Sequence, residues 1–215
     1  MVSQLCFYLM LEEAGKVKIF YADESGFSME PCISYLYFVQ STRYGWQPTG
    51  EYVRITPVGG KRLNVFGLLS RDNELHAYLY CVRSTRYTIE KNIDSDAVIA
   101  FLDDFAKTIT KKTVVVLDNA SIHHSKKFNE KLLEWTLKGL RIFHLPPYSP
   151  HLNLVERLWH KMKYDWLKPS DYSSWETLKK AIDGILGSIG NELKIDFGEL
   201  IHYKMYKEQK KAAFI

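Results

Sequence analysis

Val114-Val115-Val116-Leu117-Asp118-Asn119-Ala120-Ser121-Ile122-His123 and, after a short interval, Leu145-Pro146-Pro147-Tyr148-Ser149-Pro150-His151-Leu152-Asn153-Leu154-Val155-Glu156 decide how the chain is read. An apolar run that stops on a carboxylate is the pattern of a buried strand with an acid at its tip. The second segment puts another acid, Glu156, on the first turn of a helix, after prolines that stiffen the strand-to-helix passage. Acids delivered this way to one sheet edge build metal sites, and the question becomes whether a third oxygen-bearing element completes one.

Working outward, the unbroken valines of Thr113 to Leu117 predict a strand covered on both faces. Asp94 to Ile109 carries Val98, Phe101, Leu102, Phe105 and Ile109 at helical spacing, capped by Asp94 or Ser95. Ser125 to Leu137 reads as a second helix, Arg141 to Leu145 as a short strand, and Asn153 to Leu167 as a third helix with Val155, Leu158, Trp159, Met162 and Trp166 on its buried stripe. Upstream, Val17 to Asp23 is a further strand ending on an acid, with Glu24-Ser25-Gly26 turning the chain away. Arg62 to Ser70 and Leu75 to Val82 form an antiparallel hairpin about Arg71-Asp72-Asn73-Glu74.

Residues 28–60 lack periodicity and contain Pro31, Pro48 and Pro57, which predicts a flap insertion with a small hairpin around Glu51 to Thr56. Trp175 to Ile189 and Gly198 to Lys211 read as C-terminal helices. The order of elements gives an α/β fold with a mixed sheet. The expected organisation is an N-terminal extension over 1–16, a catalytic domain over 17–168 and a C-terminal helical appendage over 169–215.

With 215 residues, 46% of them apolar, the chain can bury a full core. Cys6, Cys32 and Cys81 are scattered without a C-x-x-C pair, which argues against a zinc knuckle or disulfide framework and fits a reducing, cytoplasmic compartment. The apolar run Leu5 to Leu11 lacks a basic leader and a cleavage site, so neither a signal peptide nor a membrane span is expected. The net charge is only +4, yet Lys111 to Lys168 holds eleven Lys and Arg against five Asp and Glu. That basic half also carries the suspected acids, which suits a phosphate-rich substrate; a solvated helix face accounts for the same count.

A helical crossover lets the first and fourth strands lie side by side and parallel, which would make Asp23 and Asp118 neighbours. Two carboxylates so placed repel, and a divalent cation relieves them. Glu156, at the margin of its helix's buried stripe, can lean toward both, with His160 and Lys163 following on the same face and Arg157 and Lys161 nearby. Oxygen donors without clustered Cys or His favour Mg²⁺ or Mn²⁺, and two such ions can stabilise both oxygens of an in-line phosphoryl displacement. Asn119 and His123 are candidates to orient water or the scissile phosphate, or simply to satisfy local backbone groups. Arg43 beside Trp46 suits base stacking, though Trp46 could equally plug the flap onto the core.

Asp23-Glu24-Ser25-Gly26-Phe27, Gly45-Trp46-Gln47-Pro48-Thr49-Gly50, Leu117 to His123 and Leu145 to Trp159, in that order, resemble the catalytic domain of mariner-related bacterial insertion-sequence transposases of the DDE superfamily. The resemblance spans roughly Val17 to Lys168. It implies a ribonuclease H-like fold, here a mixed five-stranded sheet flanked by helices, and Mg²⁺-dependent DNA strand cleavage and strand transfer at transposon ends. It also implies a metal-binding triad of Asp23, Asp118 and Glu156. Asn153-Leu154-Val155-Glu156 departs from the usual Asn-Pro-hydrophobic-Glu ending, which should relax the helix entry without moving the acid.

Double-stranded DNA, both transposon ends and target, is the expected partner. Lys126, Tyr148, Arg157, His160, Lys161 and Lys163 join Arg43 and Trp46 as DNA contacts, and Asn153 joins the auxiliary residues. With sixteen residues before the first strand, end recognition is expected from another chain, and the expected assembly is a homodimer or one with a chain supplying a helix-turn-helix, in a nucleoid-associated setting. Two other functions stay open: a ribonuclease H-like nuclease acting on hybrids or junctions, and a non-catalytic regulatory partner of an intact transposase.

Overall fold

The computed structural model describes residues 2–29, 61–85, 88–89, 93–147 and 149–198. Arg43, Trp46 and Tyr148, the expected hairpin at Glu51 to Thr56 and the expected helix beyond Gly198 lie outside the described residues.

The chain runs α1 (Val2–Glu13), β1 (Lys18–Ser28), β2 (Lys61–Ser70), β3 (Leu75–Thr85), β4 (Thr88–Ile89), α2 (Ser95–Thr108), β5 (Thr113–Leu117), α3 (Lys126–Leu137), β6 (Leu140–His144), α4 (Val155–Lys161) and α5 (Trp175–Ser188). The sheet order is β4-β3-β2-β1-β5-β6. β1, β2 and β3 pair antiparallel, while β1-β5 and β5-β6 are parallel, so the mixed sheet expected from the order of elements is what forms. Its five long strands are joined at one edge by the two-residue β4.

Strand alternation sorts the core into two layers. Ile19, Tyr21, Val114 and Val116 face α1, α4 and α5, whereas Phe20, Ala22, Val115 and Leu117 face α2 and α3. α2 starts where the Asp94 carboxylate accepts from the Ala97 N–H, and α3 where the Ser125 hydroxyl accepts from the Phe128 N–H. Trp135, fully buried, donates its indole N–H to Asp103 at 2.8 Å and so locks these two helices together.

α1 is apolar around most of its circumference; Leu5, Cys6, Tyr8 and Leu9 are buried in the core, and Tyr8 meets Phe143 edge-on. The C-terminal segment is bound in as well. Asn73, at φ 65°, accepts from the Ile195 N–H at 2.7 Å and donates to the Ile195 carbonyl at 3.1 Å. Asn tolerates this left-handed backbone better than other non-glycine residues, and its amide here replaces a strand partner. Asn73→Ala should cost about 1–3 kcal/mol in chemical denaturation, because buried backbone groups at Ile195 lose their partner; an unchanged midpoint would show the clip to be idle.

The helix expected over Asn153 to Leu167 is broken. α4 ends at Lys161 and Met162–Trp166 forms a π turn, which shifts everything after Lys161 out of α register with Glu156. Among the described residues no helix is long and apolar enough to cross a membrane.

Candidate active site

β5 stops at Leu117 because the Asp118 carboxylate accepts from the Ala120 N–H at 3.1 Å, an Asx turn that bends the chain out of the sheet. The expectation that β1 also ends on its acid is corrected. β1 continues to Ser28, since β2 pairs with it from Phe20↔Ser70 through Asp23↔Gly67 to Ser28↔Arg62. Glu24-Ser25-Gly26 has turn-like composition, but its backbone groups are satisfied in the ladder. Asp23 therefore sits mid-strand, one residue beyond the last β1-β5 pair, Ala22↔Leu117, and beside Asp118.

Glu156 is on the first turn of α4, which is seated by a close approach. Gly67, opposite Asp23, has no side chain, and a Cβ there would lie 2.9 Å from Cη2 of Trp159. The indole of Trp159, 2% exposed, packs against that bare backbone and meets Phe27 edge-on. Gly67→Ala must push the rigid ring and α4 away from the sheet. We expect a loss of about 1–3 kcal/mol in stability and about tenfold slower turnover from the displaced acid; wild-type values in both would show that α4 is positioned by other contacts.

Asn153, 3% exposed, donates from Nδ2 to the Ala22 carbonyl at 3.0 Å and so ties the Pro-rich passage to β1 next to Asp23. Asp118, Asn119, Pro146, Ser149, Asn153 and Glu156 line a cleft of about 410 Å³.

Asp23 is 9% exposed, and burial first, then the charges of Glu156 and Asp118, push its carboxyl up to about 8 against the opposing Glu24 N–H. Asp118 shifts the other way. His123 is its largest influence and, with the Ala120 N–H, outweighs burial to hold it below the usual carboxylate range. His123 is fully buried, with Nδ1 2.9 Å from Asp118 Oδ1 at an ion-pair distance whose alignment falls short of a hydrogen bond; Nε2 has no hydrogen-bond partner among the described residues. One acid held protonated beside another held ionised is how like charges share a small space. Among the described residues no three Asp, Glu, His or Cys side chains already close into a metal cage.

The remaining candidates divide. Asn119 bonds to His124 through Oδ1, away from Asp118. Arg157 is committed to structure, donating to the Phe197 carbonyl at 2.6 Å. Lys161 pairs with Asp165 at 2.9 Å, and Lys126 lies 4.0 Å from Glu130. His160 stacks on Tyr164 at 4.6 Å, and Lys163 places its ammonium 5.4 Å from the Phe27 ring centroid.

Two residues at the site escaped the sequence reading. Glu24, one step past Asp23, is raised by burial, with His123 opposing and Asp118 adding. His144, at the end of β6, brings Nδ1 within 3.4 Å of the Asp118 carbonyl and stacks on His124 at 4.5 Å, and burial lowers its pKa. The pairing Leu117↔His144 was the available signal, because parallel neighbours end at the same edge.

A mixed five-stranded sheet with helices on both faces is the ribonuclease H-like fold. The chain belongs to the DDE superfamily endonucleases, whose family profile matches residues 18–179. Solved structures with the same fold include the Mos1 strand transfer complex, at 15% identity and TM-score 0.53 over 98% of this chain and 58% of that one. The Mos1 mariner paired end complex with Mn gives 14% and 0.53, covering 98% and 59%, and the complex with Mg gives 15% and 0.51, covering 98% and 58%. The chain thus spans less than three-fifths of those transposase chains. A comparison with curated proteins finds no match.

Proposed function

We propose that this chain is the catalytic part of a DDE transposase, cleaving DNA strands at transposon ends and joining them to target DNA by in-line phosphoryl transfer. The observation that carries the reading is the acid set itself. Asp23 is buried beside Asp118 and within electrostatic reach of Glu156, and burial with these neighbouring charges pushes its carboxyl up to about 8. An all-oxygen donor set of this charge fits Mg²⁺ or Mn²⁺. Held by Asp23, Asp118 and Glu156, a pair of such ions would supply charge neutralisation at the scissile phosphate and activation of a water or 3′-hydroxyl.

The chain's own residues do the rest. His123 keeps Asp118 ionised and oriented, Asn153 fixes the strand-to-helix passage against β1, and Trp159 on Gly67 holds Glu156 at the cleft. Lys163, His160 and Lys126 are offered as backbone contacts, with Arg43, Trp46 and Tyr148 completing the DNA surface. Arg157 is left out, since it donates to the Phe197 carbonyl, whereas Lys161 stays, because an exposed pair such as Lys161–Asp165 or Lys126–Glu130 exchanges readily for a phosphate. Replacing Lys163 alone should lower the salt dependence of DNA binding by about one counterion, and an unchanged slope would confine it to covering Phe27. Two ends need two active sites, so a homodimer or an assembly with a chain supplying a helix-turn-helix belongs to the same proposal, with the nucleoid as its cytoplasmic setting. The domain reading, catalytic over 17–168 with flanking 1–16 and 169–215, is proposed with it.

The test is Mn²⁺-dependent cleavage of a duplex carrying the DNA found at either side of the gene, searched for terminal inverted repeats, against an RNA–DNA hybrid of the same sequence. Nicking at the repeat ends is expected; preferential cutting of the hybrid would replace the transposase reading with a ribonuclease.

A further inference from the structure

The sheet does not stop at the acids. β5 pairs with β1 only as far as Ala22, so 23–28 project beyond the cleft with β2 alone beside them, as a two-stranded ledge. Side chains alternate across it: Asp23, Ser25 and Phe27 on the α4 face, Glu24, Gly26 and Ser28 on the other. On that second face Arg62, opposite Ser28, reaches diagonally across the ladder and lays its guanidinium on Gly26. A Cβ at Gly26 would stand 2.1 Å from Nε, 2.2 Å from Nη2 and 2.4 Å from Cζ, so only glycine leaves the seat open.

The group seated there is exposed and forms no ion pair among the described residues. Several other cations near the sheet and helices are already paired: Lys18 with Asp72 and Glu74, Lys127 with Asp96, Lys131 with Asp103, Lys161 with Asp165. A guanidinium flat on bare backbone, with no ion pair among the described residues, presents its N–H fork to an incoming anion, and the fork matches a phosphate.

We propose that Arg62, seated on Gly26, grips a backbone phosphate of the DNA strand running past the cleft. The proposal rests on the transposase reading above. Gly26 lies three residues beyond Asp23, about 10 Å along the strand, which spans no more than about three phosphates of one DNA strand. The contact therefore falls on a nucleotide flanking the cut, and Arg62 is a positioning residue that fixes the register of the strand over the acids.

The test uses the full chain with a branched DNA duplex and Mn²⁺, reading single-turnover cleavage, the position of the cut and the salt dependence of binding. Arg62→Ala should slow cleavage about tenfold, blur the cut site and lower the slope of log Kd against log salt by about 0.7–0.9. Arg62→Lys should restore the slope but not the register, because it keeps the charge and loses the fork. Gly26→Ala keeps the charge and removes the seat, so it should slow and blur cleavage with the slope intact. Wild-type rate, position and slope in Arg62→Ala, with unchanged thermal stability, would overturn the proposal. A wild-type chain that binds this DNA and cuts none of it would instead contradict the transposase reading, and the salt slope would still decide Arg62.

Discussion

Asp118→Asn is expected to reduce Mn²⁺-dependent DNA cleavage by about 10³-fold or more while leaving the fold intact. Asp118 is half-exposed at the end of β5, and its two close partners, the His123 ring and the Ala120 N–H, can both be kept by an amide oxygen. The substitution therefore removes a charge without opening a cavity. Glu156→Gln, at an exposed position on α4, should match it. Single-turnover cleavage paired with a thermal melt checks both, and a variant that melts like wild type yet cuts within about tenfold of it would remove these acids from the chemistry.

The second large effect is on stability. Asp23 has a carboxyl raised from an ordinary value near 4 to about 8 in the fold, so between those pH values the folded chain holds a proton that the unfolded chain releases. Its contribution is fully present below about pH 4 and is lost as pH rises through about 8, so the metal-free protein should lose about 1–3 kcal/mol of stability across that window. Asp118, lowered, acts in the opposite sense only below its ordinary range, whereas His144, which burial lowers, opposes the loss up to its ordinary value of about 6.5, so the fall is read between about pH 7 and 8. Added Mg²⁺ or Mn²⁺ should raise the melting temperature more at pH 8 than at pH 5, since protons compete for the same carboxylates. Asp23→Asn should flatten the pH profile and abolish the cation's effect. A metal-free protein that gains stability from about pH 7 to 8 would contradict the burial argument.

Much of this site was legible because it is written in local patterns. The valines before Asp118, the hairpin turn at Arg71 to Glu74 and the prolines before Glu156 each constrain a short stretch of backbone, and the order of strands and helices then allowed few sheets. What escaped depends on partners distant in sequence. β1 runs through Glu24-Ser25-Gly26 because β2 supplies its hydrogen bonds, and no turn propensity can report that. Arg157 looks like a phosphate ligand until Phe197, forty residues on, takes its guanidinium. α1, inside the expected N-terminal extension, sends one face into the core, and that burial depends on partners elsewhere in the chain. The π turn after Lys161 has no periodicity signal at this length, and it undid the expectation that Lys163 shares a face with Glu156.

The central claim is that Asp23, Asp118 and Glu156 together hold a catalytic divalent cation, and Mn²⁺ binding near neutral pH, followed by electron paramagnetic resonance of the unbound ion, tests it most directly. The account predicts binding by the wild-type chain that weakens more than about tenfold in each of Asp23→Asn, Asp118→Asn and Glu156→Gln. Equal Mn²⁺ affinity in the wild type and all three folded variants would contradict it.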